Sequence, residues 1–206
     1  MAEITKIEDA IKQLRSEKKR KFVQSIDLIV NLQNFDVRKE SVNSFIPVPN
    51  PSHKRICAFL TRRSKTVDTI TKEDFDKYKT TREMKSLAKK YDFFIAAAPL
   101  MGQIATKFGR VFGPVGKMPS PQAGIMPMDN DDAIHAMVEK MKTLIRVKTK
   151  ERSLKTSIGK EDLSDAQIKE NIESVIKSVE NILPKKKENI KEVLIKLTMT
   201  KPIRVL

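Results

Sequence analysis

The 206-residue sequence predicts an α/β protein that consists of two domains. Segments near both chain ends alternate apolar and polar residues, which is typical of strands with one side facing solvent. The middle of the chain instead has short continuous apolar runs, as in strands buried on both faces. A proline-rich stretch, FIPVPNPSHK (45–54), separates the two patterns and predicts a semi-rigid connector. We therefore predict a first domain from residues 1–51 and 143–206, with a second domain, residues 52–142, inserted into it.

The predicted first domain contains two amphipathic helices and at least three strands. Ile4, Ile7, Ile11 and Leu14 recur at helical spacing. The stretch SDAQIKENIESVIKSVENIL (164–183) has one apolar face, a Ser or Asp available as its N-cap and a proline after its end. Residues 26–32, 145–150 and 193–200 alternate as strands do. In the last of these, we expect Lys196, Thr198 and Thr200 to share a polar face.

The predicted second domain alternates strands with helices. RICAFL (55–60) and DFFIAAAPL (92–100) indicate buried strands. The residues between them, 72–91, favour a helix with Phe75, Met84, Leu87 and Ala88 on its inner face. Further helices are predicted over GQIATKFGRVF (102–112) and over DNDDAIHAMVEKMKTL (129–144), the latter capped by Asp129 or Asn130. This alternation is typical of a small α/β unit.

The charge balance indicates a polyanionic partner. The chain has 41 Lys and Arg residues against 26 Asp and Glu residues, and the formal net charge is +15. The excess is spread along the chain, which favours nucleic-acid binding by a folded body. A lysine-rich surface of a heat-adapted protein is the alternative, but Glu enrichment would accompany it. No apolar run approaches the roughly 20 residues of a membrane span, and Cys57 is the single cysteine. We expect a cytoplasmic protein without a membrane partner.

The glycine-rich stretch FGRVFGPVGKMPSPQAG (108–124) raises the possibility of a nucleotide site. A P-loop needs G-x-x-x-x-G-K-[ST], but Met118 follows Gly116-Lys117, and Val111 stands five positions before Gly116. The prolines at 114, 119 and 121 argue against a dinucleotide-binding helix start. We expect an exposed loop whose glycines, at 109, 113, 116 and 124, adopt unusual backbone angles. A nucleotide-dependent enzyme remains the alternative function.

Metal and catalytic sites have little support in the sequence. His53 and His135 are the two histidines, and Cys57 has no second cysteine with which to bind zinc. DNDD (129–132) begins like a calcium loop, but Ile134 occupies the position that requires glycine, and Lys140 the position of the final glutamate. No residue spacing indicates a nucleophile with its base. We therefore predict no catalytic residues, no metal and no cofactor.

Two weak patterns near the chain ends favour RNA binding. Lys18, Lys19, Arg20 and Lys21 run directly into Phe22, which places cations beside a ring that can stack on a base. The polar face expected for Lys196, Thr198 and Thr200 offers charge and hydroxyl groups. Each pattern alone is also typical of an ordinary core aromatic or a solvated strand. A nonspecific basic nucleic-acid binder is the second alternative function.

One segment resembles a known family. The stretch GRVFGPVGKMPSPQAG (109–124) is similar to the signature of the ribosomal protein L-one family, the large-subunit proteins of the mobile stalk beside the tRNA exit site. The matching positions include Gly113-Pro114, Gly116, Met118-Pro119 and Ser120-Pro121, and Lys117 is typical of the archaeal branch. KFVQSIDLIVNL (21–32), YDFFIAAAPLM (91–101) and EVLIKLTMTKPIRV (192–205) agree in the family's order.

The resemblance implies a fold and a function. It implies an α+β first domain formed by both termini and an inserted Rossmann-like, three-layer α/β second domain without a nucleotide. It also implies a structural constituent of the large ribosomal subunit, located on cytoplasmic ribosomes beside other ribosomal components. Such a protein binds large-subunit rRNA at the stalk, assists the release of deacylated tRNA from the exit site and represses its own mRNA by mimicry of the rRNA site.

The resemblance also assigns residues and marks two departures. Family RNA contacts fall on Lys21, Phe22, Ser25, Thr198 and Met199, with Lys155 and Lys160 in a loop that approaches the RNA. To these we add Lys196 and Thr200 from the expected polar face. The family normally has glycine where this chain has Thr200, which changes the expected geometry. The segment TRRSKTVDTIT (61–71) is too short for the helix that relatives place there, so we predict a reduced second domain.

Overall fold

The chain folds into two compact units. The computed structural model describes residues 2–18, 20–40, 42–127, 129–149 and 151–205, without the side chains of residues 2–6. One unit comprises Met1–Ser52 and Thr143–Leu206, and the other comprises His53–Lys142. Among the described residues, none of the helices has the length and apolar character that a membrane span requires.

The elements of the described chain are five α-helices, ten strands and three short 3-10 helices. The α-helices are α1 (Ala2–Ser16), α2 (Thr81–Lys90), α3 (Met101–Val115), α4 (Asp131–Thr143) and α5 (Asp165–Ile182). The strands are β1 (Ser25–Leu32), β2 (Asn43–Pro47), β3 (Ile56–Phe59), β4 (Asp68–Ile70), β5 (Phe93–Ala97), β6 (Ile125–Met126), β7 (Leu144–Lys148), β8 (Ser153–Lys160), β9 (Ile190–Leu197) and β10 (Ile203–Arg204). The 3-10 helices are Glu73–Lys77, Ala98–Leu100 and Lys186–Asn189.

A four-stranded antiparallel sheet organises the first unit. Its strand order is β10-β9-β1-β8, so the first and the last long strands of the chain are neighbours. Strand β1 alternates buried and half-buried residues along its whole length, as its sequence predicts. The buried set, residues 26, 28, 30 and 32, points toward the core, and the other set points away from it.

The two amphipathic helices of the first unit cover the inner face of this sheet. Helix α5 buries the predicted apolar stripe, and Ser164 and Gln167 form a capping box at its start. Helix α1 buries Ile7, Ile11 and Leu14 in the same core, whereas the Ile4 side chain lies outside the described residues. Strands β2 and β7 pair separately and add Ile46, Ile145 and Val147 to this core. Lys150, the last residue of the strand predicted over 145–150, lies outside the described residues.

The second unit is a parallel sheet with helices on both faces. Its strand order is β4-β3-β5-β6. Phe59 and Phe94 of the sheet pack with Phe75, Phe108 and Phe112 on one face, beneath α2 and α3. The alternate strand residues, Ala58 and Ile95, are equally buried, as are Ile134, Val138 and Met141 of α4. Helix α4 therefore covers the opposite face. The α/β fold class predicted from the sequence is confirmed.

The second unit is reduced at the connection between β3 and β4. These two strands are parallel neighbours, and residues 60–67 join them without a helix. Parallel strands ordinarily need a crossover of a dozen or more residues. The predicted absence of a helix here is confirmed. The Asp129 carboxylate, expected to cap α4, instead accepts hydrogen bonds from the backbone and hydroxyl of Thr61.

The proline-rich connector is shorter than its composition predicts. We predicted a semi-rigid connector over residues 45–54, but Phe45, Ile46 and Pro47 pair with β7. The prediction fails because a two-stranded sheet consists of edge strands alone, and an edge strand tolerates proline at its end. The connector therefore begins after Pro47.

Candidate nucleic-acid interface

The outer face of the first unit's sheet gathers residues that the sequence places far apart. Ser25 lies opposite Lys160 of β8. Asp27 lies between Ser157 and Lys196, and Ile29 lies between Lys155 and Leu194. Directly opposed residues of antiparallel strands project to the same side, and this set belongs to the half-buried half of β1. Ser25, Lys155, Lys160 and Lys196 therefore share one open face, which we call the sheet face.

The sheet face is basic and also includes two acids, Asp27 and Glu192. Lys155 forms an exposed ion pair with Glu151 at 3.2 Å, whereas Lys160 and Lys196 have no ion pair in the described chain. The Glu192 carboxylate accepts a hydrogen bond from Asn31 at 2.7 Å. Burial raises the pKa of the Asp27 carboxyl, and Lys196 and a Ser157 hydrogen bond oppose that shift. The face is thus suited to a polyanion.

Exposed apolar side chains cluster at one end of the sheet face. Phe22, Val23 and Met199 are 53%, 52% and 58% exposed. Apart from Val115 in the other unit, they are the large apolar side chains exposed to this degree in the described chain. Lys18, Arg20 and Lys21 are exposed beside them, and Lys19 lies outside the described residues. Large apolar groups rimmed by cations are typical of an interaction site.

Hydrogen bonds join the two chain ends at this position. The Ser25 amide donates to Thr198 Oγ1 at 3.1 Å, and the Thr198 amide donates to the Ser25 carbonyl at 3.1 Å. The Met199 amide donates to Gln24 Oε1 at 3.3 Å. Phe22 and Met199 are therefore held within a few residues of the same junction, although they are 177 positions apart along the chain.

Gln24 is a positioning residue that sequence reasoning missed. It is buried, its carbonyl accepts the Glu161 amide at 2.9 Å, and its own amide donates to the Glu161 carboxylate at 3.4 Å. It thereby connects the start of β1 to the end of β8 and to Met199. The signal was present, because Gln24 continues the period-two register of Ile26 and Leu28.

The turn after β9 differs from the predicted polar strand face. The strand ends at Leu197, and the Thr200 amide donates back to the Leu197 carbonyl at 3.2 Å. Thr200 Oγ1 accepts the Leu197 amide at 3.0 Å. The expectation that Lys196, Thr198 and Thr200 line one strand face is wrong, because these local hydrogen bonds replace the ladder. Both threonine hydroxyls serve the turn that presents Met199.

Thr200 occupies the family's glycine position without backbone strain. In the described chain, the non-glycine residues with positive φ are Asn34 and Lys186, so Thr200 has a backbone that any residue adopts. A glycine is therefore not required here for conformation. Because threonine stands in place of glycine, the Thr200 side chain lies next to Met199 in the chain.

The glycine-rich signature lies in the second unit and begins inside a helix. The helix predicted over 102–112 continues as α3 through Gly113 and Pro114, where we expected an exposed loop. The unusual backbone angles expected at Gly109 and Gly113 are wrong, because both residues are helical, whereas Gly116 and Gly124 have positive φ. The helix is capped by Gly116, whose φ is 77°. The Gly116 amide donates a hydrogen bond to the Gly113 carbonyl, and the Lys117 amide donates one to the Phe112 carbonyl. This pair of bonds is a Schellman motif. Pro114 lies in the final turn of this helix.

The rest of the signature packs against the end of α2 and the aromatic core of the second unit. Lys117 Nζ donates to the carbonyls of Ala88 and Tyr91 at 2.8 Å and 2.6 Å, at the C-terminus of α2. Burial lowers the pKa of this lysine. Met118 packs against the aromatic core and Pro119 is buried. The amine that a phosphate loop would use is thus bonded to a helix end.

Gly124 closes the signature at a position where only glycine fits. Its φ is 107°, and a Cβ atom there would lie 2.9 Å from the Phe94 carbonyl oxygen. Its own carbonyl accepts the Ala96 amide at 2.7 Å. The close approach of two backbones explains this glycine.

The metal-ligating residue types and the cysteine of the described chain are the further candidates for a site. The described residues contain no cluster of His, Cys, Asp and Glu that could hold a metal ion. Cys57 is buried, and burial raises the pKa of its thiol to about 12. The thiol therefore stays protonated at neutral pH and behaves as a small apolar side chain.

Comparison with known proteins gives consistent matches over the chain. The profile of the Ribosomal protein L1p/L10e family matches residues 14–201. A large ribosomal subunit protein uL1 from Nanoarchaeum equitans is 37% identical over 210 residues, covering 96% of this chain and 98% of the relative. The protein of that name from Thermococcus kodakarensis is 33% identical, covering 97% and 96%. The one from Methanocella arvoryzae is 32% identical and covers both chains completely.

Proposed function

Because this chain belongs to the Ribosomal protein L1p/L10e family, we propose that it is a constituent of the large ribosomal subunit and binds large-subunit rRNA at the stalk. Membership also makes it a ribosomal protein and not an enzyme. The binding surface in this proposal is the sheet face together with Phe22, Val23 and Met199. The observation that carries it is the convergence of these exposed apolar side chains at the end of a basic face.

Each part of this surface has a chemical role in the proposal. The Phe22 ring provides a platform on which an unpaired base stacks. Met199 gives an adaptable apolar contact beside it. Lys21, Lys155, Lys160 and Lys196 contact phosphates, which makes affinity depend on salt. Ser25, Thr198 and Thr200 hold the turn in register through the hydrogen bonds described above.

The proposal includes two further RNAs through the family resemblance. Deacylated tRNA at the exit site is one, and the protein's own mRNA is the other. An mRNA that mimics the rRNA site would occupy the same sheet face, so the two RNAs would compete. For the release of deacylated tRNA, the proposal requires only that the protein remain bound to the rRNA of the stalk.

Crosslinking on intact large subunits tests the proposal. Ultraviolet crosslinking followed by mapping of peptides and nucleotides is expected to join residues 21–25 and 198–199 to one rRNA segment. Crosslinks confined to other peptides would contradict it. Competition with an arbitrary duplex separates the proposal from a nonspecific binder, because the specific RNA is expected to bind at least about 1,000-fold more tightly, as specific DNA sites do.

A further inference from the structure

The second unit carries a separate cationic surface along α2. Arg82, Lys85 and Lys89 are exposed on that helix at i, i+3 and i+7. We propose that this row, the α2 face, is a second RNA-binding surface that contacts the phosphate backbone of double-helical RNA. The inference rests on the proposed function only in taking RNA as the polyanion, since no residue of the sheet face takes part in it.

The geometry of the α2 face suits a linear array of charges. Seven residues at a rise of about 1.5 Å place the outer two cations about 10 Å apart along the helix. A groove of about 450 Å³ runs beside them, lined by Thr81, Arg82, Lys85, Ser86 and Lys89. No acidic residue lines this groove. A phosphate that enters it meets two hydroxyl groups and three cations.

The cations of the α2 face have no partner in the described chain. None of the three forms an ion pair or a hydrogen bond with a described residue. Glu83 is the one acid in α2, and its carboxylate accepts the amides of Lys79 and Thr80 in the capping box. The inner side of α2, with Met84, Leu87 and Ala88, is occupied by the core.

Each of the other four α-helices of the described chain has at least one residue in an ion pair. Arg15 of α1 pairs with Asp165 of α5. Lys107 of α3 pairs with Asp76, and Lys142 pairs with Glu139 within α4. An ordinary solvated helix face in this protein therefore mixes its charges. The α2 face departs from that pattern, which favours a partner that supplies the missing negative charge.

The α2 face is suited to the backbone of a duplex and not to unpaired bases. Helix α2 has no aromatic residue, Tyr91 at its end is buried, and Tyr78 before it is half-buried. A stacking platform comparable to Phe22 is thus missing from this helix. RNA duplexes are recognised mainly through shape, phosphates and 2′-hydroxyls. Cations in a row, with Ser86 and Thr81 beside them, provide contacts of that kind.

Salt-dependent binding of a 20-base-pair RNA duplex to the full chain tests this inference. The triple variant R82Q/K85Q/K89Q removes the row while glutamine keeps a similar helix propensity. Its matched control, K177Q/K185Q/K187Q, removes three exposed cations of the first unit that lack ion pairs in the described residues. Each lost phosphate contact is expected to make the log-log salt slope shallower by about 0.7 to 0.9. The α2 variant is therefore expected to lose about 2 to 3 in slope relative to the control, with duplex or with deacylated tRNA.

Equal slopes for the two variants with both RNAs would overturn the inference. If the triple variant does not fold, lysine acetylation of the unaltered protein, with and without bound duplex, tests the inference instead. Bound duplex is expected to protect Lys85 and Lys89 from acetylation more than Lys177, and equal protection would overturn it. Failure of the first proposal stays distinguishable, because the first proposal is tested by rRNA crosslinks to residues 21–25 and 198–199, whereas this inference is tested by the salt slope of the α2 variant.

Discussion

The signature segment of the second unit and the sheet face of the first unit differ in what their sequences specify. The signature is the most specific pattern in the chain, yet Met118 and Pro119 turn inward, and Lys117 bonds to two helix-end carbonyls. The sheet face has only weak patterns at the two chain ends, yet it gathers exposed Phe22 and Met199 with several lysines. A specific pattern thus reports how tightly a backbone is constrained. It does not by itself mark where a partner binds.

Gly124→Ala is expected to give the largest loss of stability. The added methyl group would lie 2.9 Å from a backbone oxygen at a φ of 107°. We expect the free energy of unfolding to fall by about 2–3 kcal/mol, measured by chemical denaturation, with RNA affinity of the folded protein unchanged. The control is Gly113→Ala, a helical position with open space, which is expected to raise stability slightly. Equal effects at both positions would contradict the account of the signature.

Lys117→Met tests whether the signature lysine is structural. Removing two hydrogen bonds at the end of α2 is expected to cost about 1–2 kcal/mol of stability. RNA affinity is expected to change no more than in Lys177→Met, which removes an exposed lysine of the same charge. A selective loss of RNA affinity with unchanged stability would instead assign Lys117 to binding.

Asp27→Asn tests the electrostatics of the sheet face. Because burial raises the pKa of Asp27, its contribution to stability is present below the unfolded-state pKa and is lost as the pH rises through the folded-state pKa. Protonation also removes a negative charge from the sheet face, so RNA affinity is expected to increase as the pH falls through that value. Asp27→Asn is expected to tighten binding about twofold to fivefold at neutral pH, equivalent to roughly 0.5–1 kcal/mol. Titrations of a labelled rRNA fragment with the variant and with the unaltered protein, at neutral pH and at lower pH, measure the effects of the substitution and of pH on affinity.

The matched control for that prediction is Asp36→Asn, an exposed acid outside the sheet face. It changes the net charge equally and is expected to have a smaller effect on affinity. If both variants tightened binding to the same degree, net charge and not position would explain the result.

Thr200→Gly is expected to have the smallest effect. The backbone at Thr200 has no positive φ, so glycine relieves no strain, and the bond from the Leu197 amide to Thr200 Oγ1 is lost. We expect about 0.5–1 kcal/mol of lost stability and an affinity for the rRNA fragment within about twofold of the unaltered protein's. A tenfold gain in affinity would show that the family's glycine serves close approach of RNA.

Sequence periodicity predicted the helices and strands that bury one face in the core and expose the other face to solvent. Strand β1 alternates over its whole length, and α5 buries the stripe that its sequence displays. Met84, Leu87 and Ala88 of α2 are likewise buried as their spacing predicts, but the single helix predicted over 72–91 is wrong, because Phe75 belongs to a separate 3-10 helix, Glu73–Lys77. In each case one face meets the core and the other meets solvent, so the pattern repeats in the sequence itself.

Elements decided by long-range contacts were not predictable in this way. Strand β9 ends at Leu197 because the turn bonds to itself and to Gln24, 175 residues away along the chain. Helix α3 continues through Pro114 and is closed at Gly116, whereas we expected a loop from the glycines and prolines of this stretch. The role of Lys117 depends on where α2 ends in space. No local pattern contains that information.

The dissociation constant of Phe22→Ala for the stalk rRNA fragment, measured beside Val115→Ala, tests the central claim most directly. Both side chains are about half exposed, at 53% and 55%, but they belong to different units. The account predicts a loss of about 1–3 kcal/mol, or roughly fivefold to 150-fold, for Phe22→Ala and no change for Val115→Ala. Unchanged affinity in Phe22→Ala, or an equal loss in both variants, would contradict RNA binding at the sheet face.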